Sequence, residues 1–271
     1  MKRAASMVGL GLFLTAGVAS SGACGDGAGG GLADDGATLG GSGPGATGAA
    51  TTGTGPEATS SDTLYGDVHA GQYNLGPVDF AETQFHNSCA PYPADVQAIT
   101  GDYLAGVGLD FNGQGQLCDA CILVKTKTGK SIVARIVTTG STNGPNDIDL
   151  SPAAYDALNT GEYPRDMTWQ LAKCPDTGPL RYQFQTGANV YWTSLWVRNP
   201  AVPITKVEVM SQNHPSFIEL QRGSDGTLTD ASGFGDGAFT LRVTGIDGKS
   251  VTDMLPSFSP GQEITSTQQL P

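Results

Sequence analysis

Two acids, Asp147 and Asp149, stand directly ahead of a helix start in the stretch NDIDLSPAAYDAL, residues 146–158. Ser151 suits the N-cap, Pro152 suits the first helical position, and Asn159 to Gly161 end the run. Capping therefore accounts for Ser151 and Pro152 but leaves Asp149 unexplained. Lying two residues before the cap, its carboxyl either bonds a loop amide or faces a groove as a proton donor or hydrogen-bonding group. A second chemistry is offered by flat rings. Tyr191 and Trp192 are adjacent and Trp196 follows, and such rings stack on apolar faces of a ligand. Strand alternation places Trp192, Ser194, Trp196 and Arg198 on one face and Thr193, Leu195 and Val197 toward a core.

The cysteines argue against metal or redox work. Setting Cys24 aside leaves Cys89, Cys118, Cys121 and Cys174, and the pair in CDAC has no second pair of ligands spaced for zinc, since His69, His86 and His214 are each isolated. Two disulfides are expected, with three pairings open, and neither a metal nor another cofactor is implied.

The elements that must position these groups are mostly strands. CILVKTKTGKSIVARIVTT reads as a hairpin turning near Thr128 and Gly129, and AFTLRVTGIDGKSVTDML as another turning at Asp247 and Gly248. RYQFQT, NVYWTSLWVRN and ITKVEV also read as strands, and helices are expected only after Ser151 and around Pro93 to Ile99. The chain is expected to be mainly β, with a barrel carrying small helices over 63–176 and a β-sandwich over 178–271, joined at CPDTGP.

Ahead of them, Lys2 and Arg3 precede an apolar run from Met7 to Val18, the layout of a secretory signal over 1–23. SGAC, ending at Cys24, resembles a bacterial lipobox, with Ser21 where Leu is usual. Export is therefore expected, either as a cell-surface lipoprotein with Cys24 lipidated and anchored in a bacterial membrane, or as a secreted protein. Residues 24–62 are almost entirely Gly, Ala, Thr and Ser with scattered acids, the composition of a flexible tether. The formal net charge of −12 disfavours nucleic acid, anionic lipid surfaces and polyanionic polymers as partners, and favours a neutral polymer or a cationic partner.

GKSIVARIVTT followed by DLSPAAYDAL and WQLAKC resembles the end of the first domain of the expansins, a six-stranded double-psi β-barrel. YWTSLWVRNPAVPI and LRVTGIDGKSVTDMLP resemble their second domain, an immunoglobulin-like sandwich that binds cellulose. The resemblance is to the two-domain bacterial type. It implies Cys89–Cys118 and Cys121–Cys174 disulfides, a monomer, cellulose and related β-glucans as partners, and wall loosening without cutting. It also makes Asp149 the groove acid and Tyr191 and Trp192 the first two rings of a binding platform. Asp225 stands at the third ring's place, with Trp196 expected to extend the row.

Two positions depart from the family pattern. Thr138 or Thr139 stands where a V-T-D motif carries a second groove acid, and GDVHAGQY puts His69 where the groove has a Thr, with Tyr73 as a nearby ring. Inverting hydrolysis needs a second carboxylate on the far side of the sugar; there is no Asp or Glu between Val68 and Val78, and Asp67 and Asp79, which flank that gap, do not fall at the family's position for the base. Two alternatives remain at this level. One is a barrel like that of the peptidoglycan lytic transglycosylases, which work with one acid, and the other is a pure polysaccharide-binding module.

Overall fold

The computed structural model describes residues 63–80, 88–140, 144–175 and 178–271. The expected leader, Cys24 and the tether lie outside the described residues, as does His86.

The first half is built from β1 (Leu64–Leu75), α1 (Ala94–Thr100), β2 (Leu104–Val107), α2 (Leu109–Asn112), β3 (Cys121–Thr126), β4 (Ser131–Thr139), β5 (Ile148–Leu150), α3 (Pro152–Leu158) and β6 (Asp166–Ala172). Its six strands close into a double-psi barrel in the order β1-β5-β2-β4-β3-β6. The β1/β5 and β2/β4 pairs are parallel and the others antiparallel. Alternation along each strand sends Tyr73, Ile122, Ile136, Ile148, Leu150 and Trp169 into one apolar interior. A smaller cluster, including Val78, Tyr92, Val96, Leu104 and Val137, forms under α1.

The second half comprises β7 (Arg181–Phe184), β8 (Thr193–Arg198), β9 (Ile204–Met210), β10 (Ile218–Glu219), β11 (Gln221–Arg222), β12 (Leu228–Asp230), β13 (Phe239–Gly245), β14 (Ser250–Leu255) and β15 (Glu263–Thr265). These strands make two antiparallel sheets, β10-β9-β13-β14 and β11-β12-β8-β7-β15, packed as an immunoglobulin-like sandwich. Tyr182, Phe184, Leu195 and Val197 of one sheet meet Val207, Val209, Leu241 and Val243 of the other.

Cys89 is bonded to Cys118 and Cys121 to Cys174, across sequence separations of 29 and 53 residues. Closing loops of that size removes chain entropy worth roughly 4 kcal/mol each.

A buried arginine lies at the contact between barrel and sandwich, which Arg181 of β7 also crosses by pairing with Asp95 of α1. Arg198, at the end of β8, is fully buried. It donates to Asp119 Oδ2 (2.7 Å) and to the carbonyls of Cys89 and Pro91 (2.8 Å each) in the barrel, and to Gln183 Oε1 (2.9 Å) in its own sheet. Its guanidinium also lies 4.1 Å from the Tyr92 ring centroid. Beside it the two backbones come so close that a Cβ on Gly226 would lie 2.7 Å from Cys118 Cβ.

Candidate functional site

Asp149 lies at the centre of β5, between two backbone partners. It pairs with Asn74 of β1 on one side and Gly106 of β2 on the other, and Gly106 in turn pairs with Thr138 of β4. Directly paired residues share a sheet face, so Asn74, Asp149, Gly106 and Thr138 form a transverse row. Ile148 and Leu150, the neighbours of Asp149 along the strand, belong to the barrel interior, so the row faces outward.

The carboxyl of Asp149 is set in glycine. A Cβ on Gly76 would sit 2.5 Å from Asp149 Cβ, and one on Gly140 would sit 2.9 Å from Oδ2. A side chain at either position would push the acid aside. Gly76→Ala is accordingly expected to displace the carboxyl and cut activity at this groove by about tenfold to a hundredfold, the upper figure being the cost of misplacement by about an ångström. The barrel should keep its fold by circular dichroism. Unchanged activity in a folded variant would show that the carboxyl's position does not matter.

Asp149 takes no part in the helix cap. The capping work is done by Ser151, whose Oγ accepts from Ala154 N (3.4 Å) and Leu104 N (3.1 Å) and donates to the Asp102 carbonyl (2.6 Å). The loop is tied by Asp147, whose Oδ1 accepts from Gln72 N at 2.8 Å. Among the described residues the Asp149 carboxyl has no hydrogen-bond partner. Partial burial, reinforced by the neighbouring Asp147, pushes its pKa from 3.8 up to about 6. A carboxyl in that state passes between donor and acceptor in mildly acidic water, which suits it to groove chemistry more than to holding a turn.

The other expected groove residues fall elsewhere. Tyr73 is fully buried inside the barrel, edge-on to Tyr155, so the expectation of an exposed groove ring at Tyr73 is corrected. His69 stacks on Trp169 at 4.3 Å and meets Phe111 edge-on at 4.7 Å. It sits five residues from Asn74 along β1, roughly 16 Å at strand rise, so the residue that strand pairing sets beside Asp149 is Asn74. Nothing in the motif GDVHAGQY marks Asn74; only the β1/β5 register does.

Thr138 and Thr139 use their hydroxyls internally. Thr138 Oγ1 accepts from Ser88 N (3.0 Å), while Thr139 Oγ1 accepts from Ser88 Oγ (3.0 Å) and donates to the Asn112 carbonyl (3.2 Å). They tie Ser88 onto β4.

On the sandwich, Tyr191 is 80% and Trp192 36% exposed, whereas Trp196 is only 6% exposed. Trp196 donates its indole N–H to the Asp225 carbonyl at 3.1 Å. Asp225 Oδ1 is itself taken by Thr227 N and Oγ1. The expected extension of the ring row by Trp196 is therefore corrected: the β11/β12 hairpin covers the indole, and the exposed pair is Tyr191 and Trp192. Strand β8 begins only at Thr193, so both exposed rings ride on the turn before it.

No family model matches the chain. It is 28% identical over 169 residues to Expansin-YoaJ of Bacillus subtilis (strain 168), covering 61% of this chain and 69% of that protein. It is 23% identical over 168 residues to Expansin-like protein 6 of Dictyostelium discoideum, covering 57% of this chain and 56% of that one. Among solved structures, the apo expansin of Clavibacter michiganensis aligns with a TM-score of 0.63 at 18% identity, over 75% of this chain and 98% of that chain. A mutant of that expansin in complex with cellohexaose aligns with a TM-score of 0.62.

Proposed function

From its homology in sequence and structure to the expansins, we propose that the chain binds cellulose or a related β-glucan through Tyr191 and Trp192. We propose further that it loosens contacts between glucan chains at the Asp149 groove without hydrolysing them. The observation that carries the reading is the Asp149 carboxyl. It is outward-facing, free of structural hydrogen bonds among the described residues, and poised to exchange a proton near pH 6.

A carboxyl of this kind can donate to a glucan oxygen when protonated and accept from a hydroxyl when ionised, so it can follow a polymer whose hydrogen bonds are being exchanged. Hydrolysis by inversion asks for a base separated from the acid by a sugar and a water, with carboxyls about 6.5–9.5 Å apart. Asp147 lies two residues before Asp149, just ahead of β5, and is held by the Gln72 amide, while Asp67 lies seven residues from Asn74 along β1, roughly 23 Å away. By the resemblance to the expansins, Thr138 or Thr139 stands at the place of the second acid.

The test is extension of heat-inactivated plant wall strips under constant load, with reducing sugar followed in the same samples. Creep without sugar release supports the reading; sugar release in step with creep would falsify it. Retention on cellulose isolates the sandwich's part. Tyr191→Ala and Trp192→Ala should each weaken binding about fivefold, the effect of losing a stacked ring worth roughly 1 kcal/mol. If both substitutions leave retention intact, the rings are not the contact.

A further inference from the structure

The turn that presents the two exposed rings is short and built mainly from its own backbone. Asn189 N donates to the Trp192 carbonyl (2.8 Å), Trp192 N to the Asn189 carbonyl (3.2 Å), and Tyr191 N to Asn189 Oδ1 (2.9 Å). What keeps it in place lies beneath, in the loop after β12. Gly233, at φ +70°, presses so closely on the turn that a Cβ there would be 2.3 Å from the Val190 carbonyl oxygen and 2.6 Å from Trp192 N. Gly235 N donates to the same Val190 carbonyl (3.0 Å), and Phe234 N donates to Thr193 Oγ1 (3.2 Å). The loop over residues 233–235 is the seat of the ring-bearing turn.

That seat is itself clasped from outside. A tight turn over 211–214, closed by Ser211 N to His214 O (2.8 Å) and His214 N to Ser211 O (3.1 Å), reaches across to it. Asn213 Nδ2 donates to the carbonyls of Ser232 (3.1 Å) and Gly233 (2.9 Å), and Gln212 Oε1 accepts from Asp236 N (2.8 Å). His214 Nε2 lies 2.7 Å from Asp230 Oδ2, and Asp230 Oδ1 accepts from Ser232 N (3.0 Å) and Ser232 Oγ (2.8 Å). Both side chains of the His–Asp pair are largely sequestered, with 17% and 5% exposed.

This Ser–His–Asp trio is not arranged for nucleophilic catalysis. Asp230 and Ser232 approach the same ring nitrogen, and the serine hydroxyl is spent on the carboxylate; a working triad uses the two imidazole nitrogens separately. Its geometry is that of a clasp, with Nε2–H donating to a buried carboxylate that organises the start of the glycine loop.

We propose that His214 is a positioning residue for the Tyr191–Trp192 turn, acting through Asp230 and the 233–235 loop. The proposal rests on the reading of that turn as the polysaccharide contact. Removing the imidazole frees Asp230 from its outer partner, loosens the seat, and lets the two rings lose their fixed placement.

The test combines amide hydrogen exchange with cellulose retention. In His214→Ala, exchange across 190–193 should run about tenfold faster than in the wild type while exchange in β13 and β14 stays near its wild-type rate, the mark of a local opening. Retention on cellulose should weaken about threefold, since ordering the turn then has to be done on binding. His214→Gln, which still offers an N–H toward Asp230, should recover part of both effects, whereas His214→Leu, which fills similar space without a donor, should not. Gly233→Ala provides an independent route to the same seat and should raise exchange across 190–193 as well. Unchanged exchange there in both His214→Ala and Gly233→Ala, with normal wild-type retention, overturns the clasp alone. Faster exchange spread evenly over the sandwich overturns it too, by showing global destabilisation. Absence of retention in the wild type itself overturns the polysaccharide role of the turn, and with it the positioning role assigned to His214.

Discussion

Asp149→Asn is expected to lower wall creep by about tenfold or more, the size of losing a hydrogen bond to an ionisable group at a partly desolvated site, while raising the melting temperature at pH 7. The two effects have one cause. Asn keeps the shape of the side chain but fixes one donor and one acceptor, so it cannot exchange a proton with the polymer. It also relieves a strain that the wild type carries, because partial burial and the Asp147 charge disfavour the ionised carboxyl and push its pKa from 3.8 up to about 6.

The sign of the pH dependence follows from linkage. Between about pH 4 and 6 the folded wild type holds a proton that the unfolded chain has released, so stability falls as pH rises through that window and the full cost is present above it. The neutral Asn variant escapes this. Its advantage should be absent below about pH 4, open between pH 4 and 6, and level off above. Discounted for the group's partial exposure, the plateau is about 1 kcal/mol, or about 2–4 °C for a fold of this size. Thermal melts of both proteins from pH 3.5 to 8, with creep at pH 5 and 7, decide the matter. A variant that melts below wild type at pH 7 would mean that the carboxylate has a structural partner, and undiminished creep would remove Asp149 from the proposed function.

Arg198→Met should cost about 3–5 kcal/mol, the usual consequence of stripping one partner from a buried ion pair. The loss exceeds that of a surface bridge because Arg198 and Asp119 are both sequestered and because the other carboxyl oxygen, Asp119 Oδ1, has no hydrogen-bond partner among the described residues. The carbonyls of Cys89 and Pro91 would be orphaned in the same step. Since those acceptors belong to the barrel and Arg198 to the sandwich, unfolding in denaturant should change from one transition to two as the halves uncouple. A double variant, Arg198→Met with Asp119→Asn, should recover part of the loss, because no uncompensated charge then remains. Equal instability in single and double variants would show that the guanidinium's hydrogen bonds to carbonyls dominate, and a loss below about 1 kcal/mol would show that the pair is not the lock described above.

Much of this architecture could be read from residue order alone. Period-two alternation marked the strands, Gly129 and Gly248 marked two hairpin turns, and Ser151 with Pro152 marked the start of α3. These are local signals, set by backbone sterics and hydrogen bonding within a few residues. The site was less legible. His69 and Tyr73 were expected at the groove from their place in a motif, yet the β1/β5 register turns Tyr73 into the barrel and sets Asn74 beside the acid. Trp196 obeyed the alternation that put it on the outer face and is nonetheless covered, because the β11/β12 hairpin reaches over it. The signal that would have found Asn74 was parity, since it lies one position out of phase with the buried Tyr73. No comparable signal existed for the hairpin over Trp196.

By itself the sequence determined a mainly β chain with two cores, a helix cap that leaves Asp149 unspent, an acidic balance, and a pair of adjacent rings. Tertiary structure alone decided which acid is tied and which has no partner among the described residues, which rings face water, and that a buried arginine joins barrel to sandwich. The reason is physical. Periodicity and capping depend on near neighbours in the chain, whereas exposure and pKa depend on strand register and on loops brought close by folding. Asp149 acquires its character from Gly76, Gly106, Gly140 and Asp147 together, and only the closed barrel assembles them around it.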